Sequence, residues 1–219
     1  MNFDPDNQFV AFDLETTGID PFTARPVSYA VVGPGLECVR LVDPGIPIPP
    51  SATAIHGITD SDASNGMPLD MAMSDLLDLL TDVWQAGGII VGMNVSYDLT
   101  IVHTMCKYLH LPTPRIGPVL DVLVLDRHYN KWRKGSRNLG ALCTYYGVSL
   151  VDAHTAKADA QACLDILHKM RGRYSFNISL KDNALLRGWY QEWLRGYALY
   201  SKQVIPLGRY EWPVHSENH

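Results

Sequence analysis

Long apolar runs are missing from this chain: nothing in its 219 residues approaches the ~18 consecutive apolar positions that a membrane-spanning helix needs. Cysteine is scarce, and Cys38, Cys106, Cys143 and Cys163 are widely scattered with no C-x-x-C pair. That spacing argues against a zinc site or a disulfide framework and for a reducing cytosol. Net positive charge is lacking too. A formal charge of -5 at pH 7 argues against the broad basic surface of a protein that coats long stretches of duplex. It leaves room for an enzyme that grips only a strand end and offsets its own acids with metal ions. The opening MNFDPDNQ is polar and acidic, so a secretory signal is not expected. Internal repeats and low-complexity segments are absent. What is present is 47% hydrophobic residues, enough for one sizeable core plus an appendage.

The stretch that organises the rest is VAFDLETTG, Val10 to Gly18. Val10, Ala11 and Phe12 read as a buried strand that ends in two carboxylates, Asp13 and Glu15. Strand residues two apart share a face, so these acids project side by side where Thr16, Thr17 and Gly18 break the strand. Adjacent carboxylates repel unless something positive lies between them, and a divalent cation is the simplest answer. A polar strand end whose acids face solvent is the other reading, and Asp-x-Glu alone leaves both open.

Further along, Val27–Val32 and Leu36–Val42 are short β-branched runs split by Gly33-Pro34-Gly35, as in a hairpin. Pro44 to Ser51 reads as a surface loop leading to His56-Gly57-Ile58-Thr59, where Thr59 or Ser61 is placed to cap a short helix. Met73, Leu76, Leu77, Leu80 and Val83 recur at helical spacing, and Gly87-Gly88 ends that helix. Ile89, Ile90 and Val91 form a fully buried strand of the parallel kind. Asn94 and Asp98 then fall where strand passes to helix, the place where ligand chemistry gathers in open α/β sheets. Val119–Val124 reads as another short strand, and Asn138–Tyr146 as a helix stopped at Gly147. Between them lies the one dense basic patch, Arg127, Lys131, Arg133, Lys134 and Arg137, interleaved with Tyr129 and Trp132. Basic and aromatic residues together suit a nucleic-acid strand; an ordinary solvated loop is the alternative.

Thr155 is placed to cap a late helix whose apolar stripe is Ala160, Cys163, Leu164, Leu167 and Met170. His154 then lies just before that helix and Asp159 in its early turns, so both can reach one site. In the tail, Leu186, Trp189, Tyr190, Trp193, Leu194 and Tyr197 make an amphipathic helix with a heavy aromatic face. Packing against the main domain is its expected role, with a dimer or partner contact as the alternative. Arg173 to Asn183 is the expected boundary.

Four acids in order (Asp13 and Glu15, Asp98, Asp159) with His154 beside the last form a set that resembles the DEDDh (DnaQ-like) 3'→5' exonucleases, especially the proofreading exonucleases of bacterial replicative polymerases. FDLETTG corresponds to the first motif, IHGIT to the loop after the hairpin, NVSYD to the second motif and HTAKAD to the third, while KGSRNLGALCTYYGV resembles the helix ahead of it. The resemblance runs from about Phe9 to Met170. The basic loop around Trp132 is less typical, and the tail is only loosely similar to extensions on stand-alone relatives from actinobacteria and their phages.

The resemblance implies a ribonuclease H-like α/β fold: a five-stranded mixed sheet flanked by helices over residues 1–172, with a C-terminal helical extension over 173–219. It implies that Asp13, Glu15, Asp98 and Asp159 hold two Mg2+ or Mn2+ ions and that His154 is the general base. Hard cations take oxygen ligands, and two of them suit phosphodiester hydrolysis. It further implies that Leu14, Thr16, Thr17, His56 and Asn94 position the terminal nucleotide, although threonine, histidine and asparagine also serve turns. The expected substrate is a single-stranded or frayed 3' end, DNA in preference to RNA, in the cytoplasm or, for a phage protein, the host cytoplasm. A polymerase partner stays open. The rival readings are an RNA-trimming exonuclease of the same superfamily, a non-catalytic binding module that only holds nucleic-acid ends or anchors to a polymerase, and an aspartyl-phosphate phosphatase. The last is disfavoured by Glu15 in its second acidic position and by the lack of a later Asp-Asp pair.

Overall fold

The computed structural model describes residues 8–174, 176 and 182–217; the N-terminal stretch to Asn7 and most of the expected boundary between 175 and 181 lie outside them. The central strand is β1 (Phe9–Thr16), flanked on one side by antiparallel β2 (Pro26–Gly33), which pairs in turn with antiparallel β3 (Leu36–Asp43). The chain continues through α1 (Pro50–His56), α2 (Asp60–Ala63), β4 (Met67–Pro68), α3 (Leu69–Gln85), β5 (Ile89–Gly92), α4 (Val95–Tyr108) and β6 (Val119–Asp121). It ends with α5 (Val122–Tyr129), α6 (Leu139–Tyr146), α7 (Ala156–Arg173), α8 (Asn183–Ser201) and a 3-10 turn at Leu207–Tyr210. The sheet order is β4-β3-β2-β1-β5-β6, with β5 and β6 parallel to β1.

The sheet thus has six strands, one more than expected. The addition is the two-residue β4, which carries no strand pattern of its own. It pairs with β3 because Gly66 has no side chain: a Cβ there would lie 2.7 Å from the Leu41 carbonyl carbon. A second difference concerns Val119–Val124, expected as one strand. Only Val119–Asp121 is extended, because the Asp121 carboxylate accepts the Leu123 and Val124 amides at 2.9 and 3.4 Å and turns the chain into α5. Residues Pro50 and Ser51, expected in a loop, already belong to α1, proline being well suited to a helix's first turn. Thr59 caps α2 as expected, with Asp62 completing a capping box.

Both faces of β1 are buried, so helices cover both. The Phe9 ring packs edge-on to His168 of α7, which places α7 on the face shared by Ala11, Asp13 and Glu15. Tyr29, the cross-strand partner of Leu14, donates its hydroxyl to Asp75 of α3, which places α3 on the opposite face. The four cysteines are buried and unpaired. No helix among the described residues is long and apolar enough to cross a membrane.

The tail helix α8 buries Leu186, Tyr190 and Leu194 against the core, while Tyr197 stays 41% exposed. Asn183 at its start bonds the backbone on either side of Pro118, at Val119 and Gly117, and the His215 amide donates to Thr100 of α4 at 2.9 Å.

The basic patch is largely spent on the protein itself. Asp126, fully buried, pairs with Arg133 and Arg137 and accepts the Tyr146 hydroxyl at 2.7 Å, and the Arg127 guanidinium lies 3.2 Å over the Trp193 ring. Removing one partner of a buried ion pair strands the others, at a cost of about 3–5 kcal/mol. Asp126→Asn is therefore expected to lower the melting temperature by roughly 10 °C, using ~2–4 °C per kcal/mol for a domain of this size. An unchanged calorimetric melt would refute this account of the loop.

Candidate active site

β1, β5 and β6 run parallel, and the site forms beyond their carboxyl ends, where open α/β sheets leave a crevice. Asp13 and Glu15 leave β1 on the face that α7 covers. Thr155 starts α7 by accepting the Ala158 amide at 3.3 Å, which sets Asp159 in the first turn, where a carboxylate also favours the helix dipole. The strand end and the helix start bring carboxylate oxygens of Asp13, Glu15 and Asp159 within 4.8 Å of one another. Asp98, in the first turn of α4 and only 4% exposed, stands outside that trio but close enough for its charge to act on Asp13.

The electrostatics follow from crowding carboxylates into a buried place. Burial, then the charges of Asp98, Asp159 and Glu15, pushes the Asp13 carboxyl well above the usual range. Burial and then Asp159 raise Glu15 to about 7. Asp98 is raised by burial, against the amides of Asp98 itself and Leu14 that face its carboxylate. Asp159 is raised by burial, against the neighbouring His154. An all-oxygen donor set of this kind fits a hard divalent cation. The described residues therefore contain a candidate divalent-metal centre of Asp13, Glu15 and Asp159, with Asp98 adjoining it.

His154 is exposed at the rim, and its backbone N–H points to Asp159 Oδ1 at 3.4 Å. It adopts a left-handed φ of 68°, as do Asp152 at 58° and Asn94 at 55°. Such conformations are costly for residues other than glycine and gather at functional sites. Asn94 and His154 stand just ahead of the helix starts that carry Asp98 and Asp159.

The remaining expected residues take different positions. Thr16 Oγ1 donates to the Gly18 carbonyl at 2.9 Å and meets the Tyr97 hydroxyl at 2.8 Å. Thr17 closes a turn with Arg25, its amide donating to the Arg25 carbonyl at 2.9 Å while its Oγ1 accepts the Arg25 amide at 3.0 Å. Leu14 points to the opposite face of β1 and is buried in the core, so only its backbone faces the acids. His56 Nδ1 accepts the Ile58 amide at 3.1 Å, and its buried Nε2 faces the Thr16 carbonyl without reaching hydrogen-bond geometry. Asn94 is exposed and its side chain does not cap α4.

The cap comes from Asp121, which the sequence reading passed over. Its buried carboxylate accepts the Asn94 and Val95 amides at 3.0 and 3.1 Å while also starting α5. One side chain on β6 thereby holds the helix start that carries Asp98. Tyr97 was also overlooked: its hydroxyl donates to the Gly18 carbonyl, tying α4 to the turn after β1. The signal for Asp121 was an acid closing a short apolar strand; Tyr97 sits inside the NVSYD stretch but gave no sign of its partners.

A family model described as an exonuclease, RNase T type, matches residues 10–167. The chain is similar to the PolC-type DNA polymerase III of Caldanaerobacter subterraneus subsp. tengcongensis, 27% identical over 172 residues, which cover 75% of this chain and 12% of that protein. It is 30% identical to the PolC-type enzyme of Lacticaseibacillus paracasei over 168 residues, covering 74% of this chain and 11% of that one. Among solved structures, it is similar to E. coli exonuclease I in complex with a dT13 oligonucleotide, with TM-score 0.65, 20% identity, 89% of this chain and 44% of that one covered. Exonuclease I from Methylocaldum szegediense gives TM-score 0.62 at 21% identity, covering 85% of this chain and 45% of that one. These two show a shared fold. The chain spans only 10–12% of the curated relatives it matches.

Proposed function

The chain belongs to the exonuclease family, and from that membership we propose that it is a metal-dependent 3'→5' exonuclease releasing nucleoside monophosphates from the 3' end of DNA. The observation that carries the reading is the convergence of Asp13, Glu15 and Asp159 with Asp98 adjoining and His154 at the rim. DNA is favoured because the polymerase relatives are DNA polymerases by name and exonuclease I has been solved with dT13 and dA16 oligonucleotides.

Asp13, Glu15, Asp98 and Asp159 would hold two Mg2+ or Mn2+ ions. Bound there, such ions would supply neutralisation of phosphodiester charge and a water that is a usable nucleophile at neutral pH. His154, at the rim beside Asp159, takes the proton from the attacking water as the P–O3' bond breaks. Asn94 and His56, at the ends of β5 and α1, and the Thr16–Gly18 turn position the terminal nucleotide. Residues 1–172 are assigned to the catalytic unit and 173–219 to a helical extension. The four unpaired thiols agree with a cytoplasmic setting, and association with a polymerase follows from the kind of relatives matched.

The test is a gel time course on 5'-labelled single-stranded DNA, and on RNA of the same sequence, with Mg2+, Mn2+ or EDTA. A ladder shortening one nucleotide at a time from the 3' end, abolished by EDTA, is expected for DNA. Degradation of RNA alone would replace this reading by the RNA-trimming one. Intact DNA and RNA in the presence of metal would overturn it.

A further inference from the structure

We propose that the loop between α5 and α6 is a second contact surface for single-stranded nucleic acid, remote from the acids, with Trp132 as a stacking platform. Trp132 is 87% exposed, a large apolar area for a loop residue. The loop that presents it is held from within. Arg137 Nη2 donates to the carbonyls of Asn130 and Arg133 at 2.9 and 3.1 Å, and Arg133 Nη1 donates to the Ser136 carbonyl at 2.9 Å. Both guanidiniums are also paired with buried Asp126, so the loop presents Trp132 with little ordering left to lose on binding.

Cations surround the platform in a chain that is otherwise acidic. Lys131 Nζ lies 5.8 Å from the Trp132 ring and is held in an exposed pair with Glu192 at 3.4 Å, which phosphate can displace at small cost. Lys134 is exposed beside it. Tyr145, 39% exposed, is flanked by the guanidiniums of Arg133 and Arg173 at 5.1 and 5.0 Å from its ring. Aromatic faces alternating with positive groups match a single strand, which offers bases to stack and phosphates to neutralise; the contact is sequence-tolerant because every base has a π-face.

The Tyr145 side of the surface meets Arg173, at the far end of α7 from Asp159. At ~1.5 Å per residue, Arg173 is roughly 21 Å along the helix from Asp159, about six phosphates at the ~3.4 Å spacing of a stacked strand. A strand whose 3' end sits among the acids therefore reaches this side of the surface only when it is several nucleotides long. The surface would make the enzyme prefer long strands. This length argument rests on the exonuclease reading above; the binding surface does not.

The experiment compares Trp132→Ala, Lys134→Ala and the wild type on oligothymidylates of four and of twenty nucleotides, in steady-state kinetics. Loss of one stacked base is expected to raise KM for the twenty-mer about tenfold in Trp132→Ala, with kcat and the four-mer unchanged. Lys134→Ala should raise the twenty-mer KM by a smaller factor that falls further as salt is added. No change on the twenty-mer, or an equal change on both lengths, would overturn the proposal. Should the wild type degrade neither, fluorescence anisotropy of a labelled twenty-mer in EDTA decides. A Kd about tenfold weaker in Trp132→Ala upholds the surface, and equal Kd values refute it.

Discussion

Asp159→Ala is expected to lower the exonuclease rate by roughly 10³-fold or more, since Lewis-acid stabilisation by a bound cation contributes several kcal/mol and each 1.36 kcal/mol is about tenfold in rate. Asp159 is the one member of the acid trio that comes from a helix, so its loss opens the centre on the side where His154 stands. The same substitution should leave the fold intact, because Thr155 still caps α7 and alanine favours a helix. Without metal it should even melt at or above the wild-type temperature, because one of four mutually repelling carboxylates is gone. The measurement pairs the gel assay with calorimetry in EDTA. Activity within tenfold of wild type would sink the assignment. A lower melting temperature would show that Asp159 stabilises the fold instead of straining it.

The second large effect concerns Glu15, 9% exposed and raised from its ordinary 4.5 to about 7 by burial and by Asp159. The folded state holds the proton where the unfolded chain has released it. Fewer protons are then bound unfolded than folded, so stability falls as pH rises from about 4.5 to about 7 and is level above that. Glu15→Gln, which is never charged, escapes this loss. It should match the wild type near pH 4 and exceed it in EDTA above pH 7, by on the order of 2–3 kcal/mol. That gap corresponds to a melting temperature higher by roughly 5–10 °C. Mg2+ or Mn2+ should reverse the order at pH 8 by stabilising only the wild type strongly, since metal binds the deprotonated carboxylates. Thermal melts across pH, with and without metal, check it. A gap independent of pH would mean that Glu15 packs as a neutral side chain and has no part in a cation site.

Such strain is the usual mark of a site whose function opposes stability. The crevice concentrates four acids beside a helix start held by two amides on the Asp121 carboxylate, with Asn94 and His154 left-handed ahead of the helices that carry Asp98 and Asp159. The packing on both faces of β1 has to hold them there. The tail contributes to this frame by bonding the backbone around Pro118 through Asn183 and reaching Thr100 of α4 through the His215 amide.

The order and kind of the elements were legible in the sequence wherever one local rule sufficed. Alternation placed Asp13 and Glu15 on one face, the helical stripe located α3, and Thr155 and Asn138 marked the starts of α7 and α6 through side-chain oxygens that accept nearby amides. The motifs that resemble the exonucleases depend on the same short spacings, which is why Asp13, Glu15 and Asp159, whose carboxylate oxygens lie within 4.8 Å of one another, stand out in the sequence. What the sequence could not show were pairings between distant segments. Val119–Val124 has no periodicity to separate strand from helix, and the choice fell to Asp121. Met67-Pro68 became a strand only through a close approach permitted by Gly66. The basic residues after α5 looked alike as letters, yet burial of Asp126 drew Arg133 and Arg137 inward and left Trp132, Lys131 and Lys134 outside. Local backbone preferences act over a few residues and are written in the chain, whereas burial and the partners of a buried charge are set by which segments the core brings together, and only the tertiary structure decides that.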